Sequence, residues 1–186
     1  MAELRSHLQS LDEDALRIII LEFCMHQGAR AGIVHGTGEH GIDVLAYVDS
    51  TRDRVGKGYN VLIQVKKGDL SLTRWRNEVL GQLFEATYYP VSHQLYTENH
   101  ARRVVLVVIG AATGEVRNSI RMFNIRHEVT LEVYELEELI QVFEETGFAS
   151  SLLDRIRAVG IAEELADGAL TPPVVGEAPE RGLGVQ

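Results

Sequence analysis

The spacing of apolar positions changes several times along this chain, and each change marks an element. Ala15, Ile18, Ile19 and Met25 recur at helical intervals behind Ser10-Leu11-Asp12-Glu13, a Ser-x-x-Glu capping box, which predicts a helix running to about 27 with Gly28 as its stop. Period two then takes over. A short strand is expected over 31–35, and in "IDVLAYVD" Ile42, Val44, Ala46 and Val48 alternate with Asp43, Leu45, Tyr47 and Asp49. The polar, turn-rich "DSTRDRVGKGYN" leads to "VLIQVKK", where Leu62, Gln64 and Lys66 share one face and Val61, Ile63 and Val65 the other. Asp43 and Gln64 are therefore expected on adjacent antiparallel strands, in a hairpin at the centre of the protein. Beyond it the pattern predicts a helix over 71–88, a loop around Pro90, the buried strand "RRVVLVVIG", a helix over 115–126, the strand "VTLEVYE", and helices near 136–145 and 151–159. From 168 the text "GALTPPVVGEAPERGLGVQ" holds three of the four prolines and little that could pack. One domain over 1–167 with a disordered tail over 168–186 is the expectation.

Gly36, Gly38 and Gly41 in "GTGEHG" satisfy G-x-G-x-x-G. A phosphate-cradling loop of that kind opens a helix whose N–H groups face the anion, whereas here a strand follows the glycines and a long helix precedes them. The glycines are read instead as a flexible approach to the strand that carries Asp43.

Composition narrows the class without naming it. At 186 residues, 45% hydrophobic and 24% charged, the chain is an ordinary soluble globular sequence. A single cysteine, Cys24, excludes an intramolecular disulfide, and "MAELRSHLQSLDED" has neither the basic flank nor the apolar core of a signal peptide, so the cytoplasm is the expected compartment. No apolar run reaches the length of a membrane span. The net charge of −9 lies wholly within 128–167, which holds 11 acidic and 2 basic residues. That acidic region reads as a solvated surface, with repulsion of DNA from its side or a partner site as alternatives. Elsewhere the chain is neutral, and within 52–76 Arg52, Arg54, Lys57, Lys66, Lys67, Arg74 and Arg76 face only Asp53 and Asp69. Such a local basic zone is either a solvated surface or a phosphate-binding one.

Candidate chemistry follows from the hairpin. If the polar faces of its two strands align, the Asp43 carboxylate, the Gln64 amide oxygen and the Lys66 ammonium converge. A hard divalent cation such as Mg²⁺ takes that kind of oxygen shell, with open positions for water and phosphate oxygens. Glu22 adds to the picture, since it stands i+4 from Ile18 and i+3 from Ile19 within the predicted apolar stripe. A carboxylate on such a face must be paired, protonated or bound to a cation, with Lys66 or a metal as candidate partners, or else lie at the stripe's edge and bond a backbone N–H. The seven histidines lack the paired spacing of a zinc site and are read as solvent or packing residues. Trp75, between Arg74 and Arg76, would stack on a base or join the core.

A helix acid, then "GID", then a turn-rich connector and "QVK" resembles the PD-(D/E)XK nuclease superfamily, and most of all the Mrr-type restriction endonuclease catalytic domain. The resemblance covers roughly 11–143: a helix containing Gly81 follows "QVKK", then a buried strand, then "VTLEVYELEELIQVF", similar to the family's closing strand and helix. It implies an α/β fold with a restriction-endonuclease-like core, a central mixed β-sheet flanked by helices. It also implies Mg²⁺-dependent, or Mn²⁺-dependent, hydrolysis of DNA phosphodiesters. Asp43 would then be the metal-binding aspartate, Gln64 the variant of the usual acidic ligand, Glu22 the helix acid and further ligand, and Lys66 the catalytic lysine. Arg52, Arg54, Lys57, Lys67, Arg74 and Arg76 would contact the DNA backbone. A neutral Gln64 removes one negative charge from the site and weakens metal binding. No DNA-reading domain is evident in the sequence, which points to a homodimer or a protein partner as the source of specificity. The rival reading is a non-catalytic domain of the same fold that binds nucleic acid or protein.

Overall fold

The two strands predicted around Asp43 and Gln64 form and pair antiparallel. The computed structural model describes residues 1–34, 41–49, 58–98 and 100–169, the last ten of these as helix backbone only. Two compact units divide the chain, residues 1–150 and 151–186.

The first unit opens with α1 (Ala2–Ser10), a helix the sequence pattern did not mark, and α2 (Glu13–His26). The predicted capping box is displaced. Ser10 ends α1 and its hydroxyl donates to the His7 carbonyl, while Asp12 caps α2 by accepting from the Ala15 N–H at 2.8 Å. Four strands of the sheet follow as expected in kind: β1 (Arg30–Ile33), β2 (Val44–Val48), β3 (Tyr59–Lys67) and β4 (Ala101–Ile109), then β5 (Leu131–Glu135) closes it. Their order in space is that of the sequence, β1 to β5, antiparallel across β1–β2–β3 and parallel across β3–β4–β5. The parallel pairs need helical crossovers. They are supplied by the segment 72–88 and by α5 (Gly114–His127).

The 72–88 segment is helical throughout but not uniformly. It runs as α3 (Leu72–Arg74), a π-helical turn (Trp75–Val79) and α4 (Leu80–Tyr88). Such wide turns recur at functional sites. After β5 come α6 (Leu136–Glu145), with a reciprocal Glu135–Glu138 capping box, and α7 (Phe148–Ala169). The segment read as a tail lies, from residue 170 on, outside the described residues.

Strand alternation divides the core into two layers. Leu62, Leu106 and Val108 join Trp75, Val79, Leu83, Val116, Ile120 and Phe123 on the α4–α5 side, where the buried Trp75 is a core residue. Val61, Ile63, Val105 and Val107 face Ile20, Phe23 and Cys24 of α2 and Leu139 and Val142 of α6. β4 is apolar on both faces because both are covered, as expected for a strand inside a parallel arrangement. Among the described residues no helix is long and apolar enough to cross a membrane.

Candidate active site

β2 and β3 do not end together, and the site occupies the difference. The pairing stops at Val44 opposite Ile63, yet β3 continues to Lys67, bonded to β4 on its other side. The N–H groups of alternate residues along this overhang point into space that β2 no longer fills. Two carboxylates take them. Asp43 Oδ2 accepts from the Val65 N–H at 2.7 Å, and Glu13 Oε1 accepts from the Lys67 N–H at 3.2 Å. The main chain of Asp43 is fixed as well, its N–H bonding the Ile63 carbonyl and its carbonyl accepting from Val34.

The second oxygen of Asp43 meets a cation. Arg17 Nη2 lies 2.7 Å from Asp43 Oδ1 and 4.0 Å from Glu13, while its Nη1 bonds Asp14 at 2.7 Å. Lys66 is close enough to favour the ionised carboxylate, as are Arg17 and the Val65 N–H, while Glu13 acts against it. Burial outweighs them and raises the Asp43 pKa above the usual carboxylate range.

Gln64 is fully buried, and its side chain crosses to α4, where its amide N–H donates to Gln82 Oε1. Gln64 Oε1 is left buried with no hydrogen-bond partner among the described residues. Gly41 explains how Gln82 reaches this point. It adopts φ +68, and a Cβ there would run into the Gln82 side chain, so the glycine of "GID" is required both by the backbone and by this close approach. That is what the last of the three motif glycines does; Gly36 and Gly38 lie outside the described residues.

Asp43, Gln64 and Lys66 thus share the overhanging end of β3. Glu22 is placed elsewhere on α2, and the reason is a misread stripe. The buried residues of α2 are Leu16, Ile19, Ile20 and Cys24, whereas Ile18 and Met25, counted in the predicted stripe, are 48% and 57% exposed. "ALRIIILEFCM" is apolar nearly all round, so periodicity alone does not fix its inner face. Glu22 is about 180° round the helix and about 13 Å along its axis from Glu13. Of the acids of α2, Glu13 reaches the end of β3 and, with Asp14, flanks Arg17. Reading Glu13, Arg17, Ile20 and Cys24 as one row, spaced i, i+4, i+7, i+11, would have found both Glu13 and Arg17.

The basic zone divides. Arg52, Arg54 and Lys57 lie outside the described residues. Arg74 is engaged internally: it donates to the Lys67 carbonyl at 2.6 Å, pairs with Glu78 at 2.9 Å and lies 3.7 Å from Glu13. Lys67 is half-buried and Arg76 is exposed beside α5. Cys24 is buried, its thiol pushed up to about 11, which leaves it unreactive at neutral pH.

No protein-family profile and no curated protein sequence matches this chain. Solved structures do. It is similar to the restriction endonuclease FokI bound to DNA, with a TM-score of 0.52 over 84% of this chain and 28% of that one at 16% identity. The fold is restriction-endonuclease-like. MspJI restriction endonuclease in complex with a 27-mer oligonucleotide aligns with a TM-score of 0.43 over 74% of this chain and 29% of its own, at 14% identity. The chain therefore spans less than a third of either structure, and at these identities the likeness concerns the fold alone.

The donors present fit a hard cation in kind. Asp43 and Glu13 supply carboxylates, and Gln64 Oε1 is a buried oxygen with no donor among the described residues. Among the described residues no three His, Cys, Asp or Glu side chains gather as a metal-holding group. A shell here would therefore depend on the amide oxygen and on water.

Proposed function

We propose that this chain is a metal-dependent DNA endonuclease of the PD-(D/E)XK type, Mrr-like in its Gln-x-Lys motif, working in the cytoplasm with Mg²⁺ or, in its place, Mn²⁺. The observations that carry the reading lie at the overhanging end of β3: a buried carboxylate within electrostatic reach of Lys66, and the buried amide oxygen of Gln64, which has no hydrogen-bond partner among the described residues. A restriction-endonuclease-like fold around them gives the arrangement its context.

In this reading Asp43 and Gln64 would hold the cation, with Glu13 in the place that the resemblance gave to Glu22. The bound ion would supply Lewis acidity to a phosphate oxygen and acidity to a water. Lys66 orients that water and stabilises charge as it develops on the phosphate. The buried surroundings strengthen both interactions by excluding bulk water. Lys67, on the opposite face of β3 from Lys66, and Arg76 are backbone-phosphate contacts, joined by Arg52, Arg54, Lys57 and whatever donor capacity Arg74 retains. Sequence preference would come from a second copy or a protein partner.

One observation favours the rival, a non-catalytic domain of the same fold. Asp43 and Glu13 already do structural work by capping the open N–H groups of β3. Cleavage of linear, nicked, branched and single-stranded DNA with Mg²⁺ or Mn²⁺ separates the two. Cleavage by the wild type that is lost in Asp43→Ala and in Lys66→Ala supports the enzyme; cleavage that persists in both places the activity elsewhere.

A further inference from the structure

Asp43 has one oxygen that takes no backbone hydrogen bond, and a side chain of this protein already holds it. Oδ2 accepts from the Val65 N–H, and its loss would leave that N–H without this acceptor. Oδ1 is the remaining one, and Arg17 Nη2 sits on it at 2.7 Å. The placement follows from α2: Arg17 lies one turn after Glu13 on the inward row of the helix, and Asp14 and Glu13 steer its two terminal nitrogens. The seat is imperfect, because Arg17 Nε is buried with no hydrogen-bond partner among the described residues. A guanidinium that belonged permanently to the scaffold would be expected to satisfy all its donors.

We propose that Arg17 is a built-in competitor for the cation at Asp43, guanidinium and divalent ion taking the same carboxylate oxygen in turn. The inference rests on the metal-dependent reading above and deepens it by naming what controls the site. A divalent ion at hydrogen-bonding distance from a fixed guanidinium meets strong repulsion in a half-dry setting, so one must leave before the other settles. Displaced, the guanidinium has an anchor in Asp14, whose side chain is 84% exposed and lies towards water. Arg17 then keeps the metal-free site compact and sets a threshold concentration for loading. The neutral Gln64 fits such a site, since a weak oxygen shell leaves the balance within reach of a competing side chain.

The test is Mn²⁺ binding to the full chain, followed by the electron paramagnetic resonance signal of the free ion and by calorimetry, without DNA. Arg17→Met and Arg17→Gln should each bind Mn²⁺ about tenfold or more tightly than wild type, because the competing charge is gone. Arg17→Lys, which keeps a cation, should stay within about threefold of wild type. Adding Asp43→Asn to either neutral variant should remove the gain. Two neutral replacements of different polarity guard against one that fails to fold, and circular dichroism reports folding independently. If both bind Mn²⁺ no better than a wild type whose binding depends on Asp43, Arg17 is scaffold and the competitor is overturned while the metal site stands. If neither wild type nor any variant binds Mn²⁺ through Asp43, the metal-dependent reading falls and the competitor with it.

Discussion

Asp43 with Arg17 and Glu135 with Arg117 are the same chemical pair in two settings. Glu135 receives a two-point grip, with Arg117 Nε at 2.6 Å from one oxygen and Nη2 at 2.7 Å from the other, and the arginine is largely in water. The Arg117 hydrogen bonds are the main reason its pKa falls below the usual range. Asp43 is gripped at one oxygen only, in a dry corner, and burial raises its pKa in spite of Arg17, Lys66 and the Val65 N–H. Contact with an arginine therefore does not by itself say whether a carboxylate is satisfied. Glu135 has all the positive charge its setting calls for. Asp43 would gain from more, which is the electrostatic condition of a cation ligand.

The sharpest way to break this contrast is to remove each carboxylate and measure cleavage. Asp43→Ala should lower metal-dependent cleavage by a factor on the order of 10³ or more, the loss of several kcal/mol of transition-state stabilisation. Lys66→Ala should do nearly as much while leaving Mn²⁺ binding measurable. Glu135→Gln should leave cleavage unchanged. Equal losses in Asp43→Ala and Glu135→Gln, measured on one DNA substrate, would mean that both act through stability. Gln64→Glu adds the charge this site lacks and should tighten Mg²⁺ binding about tenfold, ~1.4 kcal/mol, by calorimetry. An unchanged affinity would remove Gln64 from the oxygen shell.

A smaller effect is expected at two left-handed glycines. Gly41→Ala combines φ +68 with a collision against Gln82, whereas Gly147→Ala carries φ +76 into open space. The first should cost about 2–4 kcal/mol in urea unfolding and the second about 1 kcal/mol, with only the first disturbing metal binding. Similar costs at the two positions would show that Gln82 yields freely and does not hold Gln64.

How far this was readable in advance differs by residue. Asp43, Gln64 and Lys66 were legible because strand period is short and a hairpin fixes register, so the sequence places them on adjoining strands. Glu13 and Arg17 were hidden by an apolar helix with no clear polar face, and by the assignment of Glu13 to a capping box, whereas the helix is capped by Asp12. α1 was missed because "AELRSHLQS" buries only Leu4 and Leu8, too few positions to declare a period. The π-helical turn at Trp75–Val79 has no signature in local residue type. Gln82 was out of reach for another reason: its importance depends on a close approach to Gly41 across the fold, and spacing along the chain carries no sign of that.

The least of the expected effects tests the contrast at its source. A carboxyl whose folded pKa is raised keeps its proton in the folded chain after the unfolded chain has lost it, so stability falls as pH rises from about 3.9 through the folded value. Asp43 follows that rule, and above this window its ionisation costs stability. Asp43→Asn retains an acceptor for the Val65 N–H and removes the cost, so at pH 7 without metal it should melt above wild type by about 2–4 °C. Its advantage should shrink as pH falls towards 4. Glu135 has the opposite sign: its folded pKa is lowered, so its contribution is present above the unfolded value of about 4.3 and is lost as pH falls through the folded one. Glu135→Gln should therefore melt below wild type at pH 7, by only about 1–2 °C because Arg117 is well solvated, and the deficit should close in acid. Thermal melts of the three proteins between pH 4 and 8, with a chelator present, should give two difference curves of opposite sign. If Asp43→Asn were destabilised at pH 7 and the loss grew with pH, the Arg17 pair would outweigh burial, and Asp43 would be as satisfied as Glu135.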